Sequence, residues 1–199
     1  RGGCVLLKGV DFIDKFSDVS CNALREKLYK INHHYQYVVI SQGWDLYNKS
    51  VLNFGPVDKE NPMHKWEPFI NATIEHFKPM SNKIILIGRH LKVTGTSRLN
   101  PTIFLSEQTY RKELNDLSVS NLDDILKSYS FFNQWDHEAI VMHPIDIWNQ
   151  NNEGIKLHDQ KWSFFSDSQH ASQESSEYIT KGIRRILLRT QLATKPRAQ

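Results

Sequence analysis

The sequence predicts a single α/β domain, a sandwich in which a short and mainly parallel sheet is covered by helices on both faces. Three observations predict it. Continuous apolar runs rich in β-branched residues occur at 37–41, 83–88 and 139–143, helical patterns alternate with them, and the composition suits one buried core. At 199 residues, 39% hydrophobic and 24% charged, the chain has neither a disordered nor a fibrous bias, so one domain spanning 1–199 is expected.

Taken in order, residues 4–10 (CVLLKGV) are an apolar run fit for a strand or the end of one. A polar loop and an amphipathic stretch over about 21–32 follow. Residues 37–41 (YVVIS), bounded by Gln42 and Gly43, read as a buried strand. The pattern predicts a helix over 65–77 that ends before Pro79, and residues 83–88 (KIILIG) are the clearest strand of the chain. A long excursion with helical pieces runs over 101–129, and 139–144 (AIVMHP) supplies a further strand. The last element is a long helix over 172–188, where Ile179, Ile183, Ile186 and Leu187 keep helical period. In parallel sheets the chemistry gathers at the carboxyl ends of strands, which directs attention to 41–44, 88–90 and the loop before the last helix.

Charge and cysteine usage narrow the function classes. The net charge of +3 arises from 25 basic and 22 acidic residues spread along the chain, so no block suggests nucleic acid. The C-terminal group Lys181, Arg184, Arg185 and Arg189 has helical spacing and reads as a solvated helix face. No run approaches the roughly 18 apolar residues of a membrane span, and the opening Arg-Gly-Gly-Cys lacks a signal-peptide pattern. Beginning at Arg1 and almost directly in an apolar run, the chain reads as a piece of a longer precursor. Spacing alone leaves Cys4 and Cys21 open between two free thiols and one short-range disulfide. No zinc site is expected, because neither a CxxC pair nor an HExxH helix accompanies them, and no organic cofactor is implied. Asn48-Lys-Ser50 and Asn71-Ala-Thr73 are glycosylation sequons, triplets that also arise by chance.

The strongest chemical signal lies in Trp162-Ser-Phe-Phe-Ser-Asp-Ser-Gln-His-Ala-Ser172, where Asp167 stands three residues before His170. A carboxylate so close on one loop can take a hydrogen bond from one imidazole nitrogen, fixing the tautomer, while the other nitrogen takes a proton from a serine. The bland alternative is a capping segment, with Ser172 at the N-cap of the final helix and Glu174 and Ser175 in its first turn. Ser41 at a strand end is a rival nucleophile but lacks the Gly-x-Ser-x-Gly elbow. Lone histidines such as His90, His143 and the His33-His34 pair are read as surface residues. Trp66, Trp135, Trp148 and Trp162 are read as core aromatics before sugar-stacking ones.

The stretch Ser166-Asp167-Ser-Gln-His170-Ala-Ser172, followed by a helix, resembles the closing Asp-x-x-His-x-Ser block of the SGNH hydrolases. More narrowly, the chain resembles the SGNH domain fused to the C-terminus of acyltransferase family 3 membrane proteins, which O-acetylate surface glycans. The resemblance rests on an ordered set: the Cys4 segment, Cys21, the tryptophan block Val38-Val-Ile-Ser-Gln-Gly-Trp44, the strand Ile84-Ile-Leu-Ile-Gly88, and the Asp-His block. It implies a three-layer α/β/α, flavodoxin-like sandwich and a Ser-His-Asp mechanism with His170 as base and Asp167 as its orienting partner. It also implies a Cys4–Cys21 disulfide, an extracytoplasmic location beside a membrane acyltransferase domain, and a glycan or acyl-ester substrate.

Two departures accompany it. The Gly-Asp-Ser block that carries the family's nucleophile has no match, and by the family's order it belongs upstream of Cys4. The asparagine of the third block is replaced by Gln42-Gly43-Trp44, so only the backbone around Gly43 and Trp44 is expected to line the site. The alternatives are a stand-alone secreted carboxylesterase of the same fold, and a non-catalytic carbohydrate-binding or interaction module.

Overall fold

In the computed structural model the described residues are 5–10, 18–44, 63–99, 106–149, 154–159, 161–168 and 170–193. The chain groups into two compact units, Arg1–Arg89 with Ser130–Val141, and His90–Tyr129 with Met142–Gln199. The expectation from sequence was one domain.

The first unit carries the sheet. Strands β1 (Tyr35–Ile40), β2 (Ser81–Ile87) and β5 (Ile140–Met142) lie in the order β1-β2-β5. These are the three runs expected to be neighbours. β1 and β2 are parallel, with Val38 opposite Ile84, Val39 opposite Ile85 and Ile40 opposite Leu86. Consecutive strand residues point to opposite faces, so the successive burial of Ile84, Ile85 and Leu86 shows that both faces of β2 are covered. The fold is therefore of mixed α/β type with a small, mostly parallel sheet.

Helix α1 (Asp18–Tyr29) precedes β1, and α2 (Glu67–Phe77) leads into β2 through a 3-10 turn at Lys78–Met80. Pro68 in the first turn of α2 costs no intrahelical bond, and the helix buries Ile70, Thr73, Ile74 and Phe77, one face at spacing i, i+3, i+4, i+7. Above the sheet end sit Trp44, Trp66 and Phe132, all essentially without solvent contact. Trp44 meets Trp66 edge-on at 5.5 Å and Phe132 at 5.2 Å, arrangements worth about 0.5–1.5 kcal/mol beyond area burial.

Residues 5–10 are not a strand. Val5, Leu7 and Val10 are buried as the apolar pattern required, but Val10 N–H donates to the Leu7 carbonyl at 3.3 Å and Gly9 has φ +83°, which closes a turn. The turn is stabilised from elsewhere in the chain: Lys8 N–H donates to Thr73 Oγ1 at 2.8 Å, and the Tyr29 hydroxyl donates to the Leu6 carbonyl at 2.9 Å. Burial, not strand pairing, selected these apolar residues.

Among the described residues no strand pairs with the far edge of β1. Beside that edge lies a cavity of about 360 Å³ walled by Leu6, Leu28, Val38, Ile40 and Phe77 among others. Tyr37 and Val39 of β1 stay largely exposed.

The second unit is mainly helical. Strands β3 (Val93–Thr94) and β4 (Ser118–Val119) form a two-residue antiparallel pair around α3 (Glu107–Asn115), followed by α4 (Leu122–Lys127); all but the first residue of α5 (Tyr129–Asn133) belongs to the first unit. Buried Asn121 extends this small ladder: its Oδ1 accepts from Lys92 N–H at 2.8 Å and its amide donates to the His90 carbonyl at 3.0 Å. Helix α6 (Pro144–Trp148) packs on α7 (Ser176–Ala193), which begins after a 3-10 turn at Gln173–Ser175. Within the expected basic face, Arg185 reaches back to donate to the Asp146 and Asn149 carbonyls at the end of α6, satisfying groups that the short helix leaves open. Lys181 pairs with Glu177 one turn earlier at 2.6 Å, as a solvated face would. No helix of the described residues is long and apolar enough to cross a membrane.

Replacing Thr73 by Val keeps its shape but leaves the Lys8 N–H without its acceptor. Urea unfolding followed by tryptophan fluorescence is expected to show a loss of about 1–3 kcal/mol.

Candidate active site

The Asp167–His170 loop is built by short backbone ties over an aromatic floor. Phe164 N–H donates to the Leu157 carbonyl at 2.8 Å, Ser172 N–H to the Phe164 carbonyl at 2.9 Å, and Ser166 N–H to the His170 carbonyl at 2.9 Å. Isolated antiparallel bridges join His158 to Ser163 and Phe165 to Ala171, so the loop doubles back on itself. Val93 N–H, at the start of β3, holds the Ser168 carbonyl at 2.8 Å. Beneath the loop, Phe164 and Phe165 are buried against Trp148, and Tyr178 of α7 lies 4.9 Å from Phe164. Such a floor fixes the loop without a long element of regular structure.

On this scaffold the Asp167 carboxylate holds His170 twice. One oxygen accepts from the His170 backbone N–H at 2.9 Å, and the other lies 2.7 Å from the ring Nδ1. An ionised carboxylate can only accept, so the Nδ1 proton lies between them, and in the neutral ring Nε2 is the nitrogen that carries the lone pair. The imidazole is 79% exposed, and among the described residues no hydrogen bond engages Nε2. Chemically, such an arrangement can serve as an oriented general base open to solvent. Ser172 does occupy the N-cap position of the 3-10 turn, but its hydroxyl donates to the Ser163 carbonyl at 2.8 Å and caps no N–H. Its role is to tie the two arms of the loop. Ser163, whose hydroxyl donates to the Phe165 carbonyl at 2.8 Å and accepts from Phe165 N–H at 3.1 Å, is a supporting residue that no local pattern announced.

A cavity of about 380 Å³ opens on the same loop, with Trp162, Ser166 and Ser172 in its wall together with Tyr110 of α3 and Glu174. Tyr110 lies 52 residues before Trp162 and 64 before Glu174, by sequence number, and reaches the loop only through the fold.

Gly43 and Trp44 belong to the first unit and Asp167 and His170 to the second. The Trp44 ring is a core group: its indole N–H is shared between the Ile87 and Gly88 carbonyls at 3.0 and 3.2 Å, and its own carbonyl accepts from the Trp66 indole at 3.1 Å. Gly43 is partly exposed beside it, and Ser41 is exposed just after β1. Cys21 is buried and disulfide-bonded; Cys4, the other cysteine of the sequence, lies outside the described residues. The sequon at Asn48 also lies outside them. The one at Asn71 sits within α2, where the Asn71 side-chain oxygen accepts from the Trp135 indole at 2.6 Å and Thr73 is buried.

His33, His34 and His90 are exposed, as read from the sequence, but His143 is not. It is buried and stacked on Tyr129 at 3.6 Å with the rings 12° apart. Burial holds its imidazole below the ordinary histidine pKa, partly opposed by Asp146. Burial and Asp146 together push the Tyr129 hydroxyl far up. Trp66, Trp135 and Trp148 are core residues, whereas Trp162 is exposed. Among the described residues no three His, Cys, Asp or Glu side chains gather into a set that could hold a metal ion.

No family model matches the chain, and neither a curated protein nor a solved structure does.

A pH dependence follows from three imidazoles, that of His143 buried and those of His76 and His158 partly buried. Burial lowers the pKa of His143, of His76 with help from the Lys8 ammonium, and of His158. The unfolded chain therefore binds these protons first as pH falls. Stability is full above the ordinary histidine value and is lost as pH falls through it toward the depressed folded values. Urea midpoints are expected to drop between about pH 7 and about pH 5, with a shallower slope in His143→Phe, which keeps the stack on Tyr129 but cannot titrate.

Proposed function

We propose that the chain is the greater part of an SGNH-type serine acyltransferase or esterase domain, a three-layer α/β/α sandwich that works on O-acyl groups of a cell-surface glycan. The observation that carries the reading is the two-point clamp of Asp167 on His170, which leaves Nε2 outward with its lone pair free. The nucleophilic serine comes from outside these 199 residues. Among the described residues no strand pairs with the far edge of β1, so a further strand of the domain could pair there.

In this reaction the serine hydroxyl gives its proton to Nε2 as its oxygen bonds to the ester carbonyl carbon. The resulting imidazolium is stabilised by Asp167. When the tetrahedral intermediate collapses, the C–O bond to the leaving alcohol breaks and Nε2 returns the proton to that oxygen. A glycan hydroxyl or water then attacks the acyl-serine, with His170 again taking and returning one proton. Transfer and hydrolysis differ only in that acceptor. The disulfide at Cys21 supports an oxidising, extracytoplasmic setting, and the resemblance assigns it a neighbouring membrane acyltransferase domain.

A second reading, a non-catalytic carbohydrate-binding module, is favoured by the exposed Trp162 at the cavity wall.

The two readings separate on turnover. The 199 residues alone are expected to cleave no ester, whereas the polypeptide extended upstream to include the nucleophile deacetylates p-nitrophenyl acetate and acetylated glycan. In the extended protein His170→Ala should lower kcat by about 10²-fold or more, and Asp167→Asn by a smaller but clear factor, with circular dichroism unchanged. Unchanged rates in folded His170→Ala would remove His170 from the mechanism, and an extended protein that turns over no ester would leave the binding module as the function.

A further inference from the structure

Four of the five tryptophans are buried, none more than 5% exposed, while Trp162 is 54% exposed. Its exposure is not looseness. Asp159 Oδ1 accepts from the backbone N–H groups of Lys161 and Trp162 at 3.0 and 2.7 Å, and Asp159 N–H donates to the Trp162 carbonyl at 3.2 Å. A closed turn thus fixes the backbone of an indole that remains in water. An aromatic face presented in this way is a preorganised stacking platform, because the backbone ordering that ligand binding would otherwise require is already complete.

The cavity that Trp162 borders supplies the complementary half. At about 380 Å³ it falls in the range of small-molecule pockets, roughly 300–1,000 Å³. Its wall joins the aromatic residues Phe165 and Trp162 to the hydroxyl-bearing Tyr110, Ser166 and Ser172 and the acidic Glu174. That mixture fits a sugar ring, which has an apolar C–H face to lay on an indole and a rim of hydroxyls that both donate and accept. Glu174 is the charged group among the described wall residues, and its charge, with that of Asp159 nearby, adds to burial in raising the Tyr110 hydroxyl pKa. Among the described wall residues no basic side chain opposes Glu174. An anionic ring is disfavoured there, and an uncharged or amine-bearing one is favoured.

We infer that the cavity bordered by Trp162, Tyr110 and Glu174 is a binding site for one uncharged or amine-bearing pyranose unit of a glycan. The inference rests on the proposed ester chemistry for what happens to that unit, since Ser166 in the wall donates from both its N–H and its hydroxyl to the His170 carbonyl. Binding itself needs no nucleophile and is measurable on these 199 residues.

The experiment is saturation-transfer NMR and calorimetry with chitotetraose, cellotetraose, the fully deacetylated chitosan tetramer and tetragalacturonate. Saturable binding of at least one of the first three is expected, with tetragalacturonate excluded. Trp162→Ala should weaken binding about tenfold or more, and Trp162→Phe, which keeps an aromatic face, by less. Glu174→Gln should weaken the chitosan tetramer selectively or admit tetragalacturonate. Binding is read on these 199 residues, which are expected to cleave no ester, so that a loss of turnover and a loss of binding are told apart. Binding of none of the four sugars, preference for the anionic one, or affinity unchanged in folded Trp162→Ala overturns the inference, whatever the esterase assay gives.

Discussion

At the carboxyl end of the sheet the carbonyls of Ile87 and Gly88 both accept from the buried Trp44 indole, and Trp44 in turn is held through its own carbonyl by the Trp66 indole. A short sheet cannot pair all of the backbone it buries. Each buried carbonyl or N–H left without a partner costs about 1–3 kcal/mol, comparable to a large share of a domain's net stability. Here the deficit is met by side chains that reach across the interior. Two indoles do so where the strands end, Thr73 and Tyr29 do so at the turn of residues 5–10, and Asn121 extends the two-residue β3–β4 ladder. Packing and hydrogen bonding are thereby coupled, since the groups that fill the core also close its polar contacts.

The same economy governs the candidate active site. A loop with almost no regular structure is held by Ser163, Ser166 and Ser172, each spending a hydroxyl on a backbone carbonyl. Serine-rich composition near a helix start suggests capping, but these hydroxyls tie loop to loop. The result is a carboxylate and an imidazole set at bonding distance with their supports already satisfied, which is what a general base needs if it is to act without rearrangement.

How much of this was legible in the sequence follows from the range of the interactions. Strand β2 was visible because Ile84, Ile85 and Leu86 are consecutive and must face both sides of a covered sheet. The α2 helix was visible because its apolar residues share one face. The Asp167–His170 contact was visible because both partners sit on one loop. Residues 5–10 were misjudged, since an apolar run reports burial and says nothing of whether Thr73, over sixty positions away, takes the N–H that a neighbouring strand would otherwise take. His143 was misjudged for a similar reason: its stacking partner Tyr129 lies on a separate element. The β3–β4 pair is too short to show a period of two, and the convergence of Tyr110, Trp162 and Glu174 on one cavity exists only in three dimensions.

The sequence of β1, YQYVVI, has a meaning beyond its place in the sheet. It holds five β-prone residues and one glutamine with no charge, proline or glycine, the signature of segments that stack into steric zippers. Natural edge strands are ordinarily protected by a lysine, a proline or a bulge, and among the described residues nothing of that kind interrupts this one. Handled alone at high concentration, or warmed until the edge frays, the chain carries its own nucleus for cross-β aggregation. A gatekeeper charge at exposed Val39 would blunt that hazard with little disturbance to the core, and would also mark how far solubility in this protein depends on keeping one strand covered.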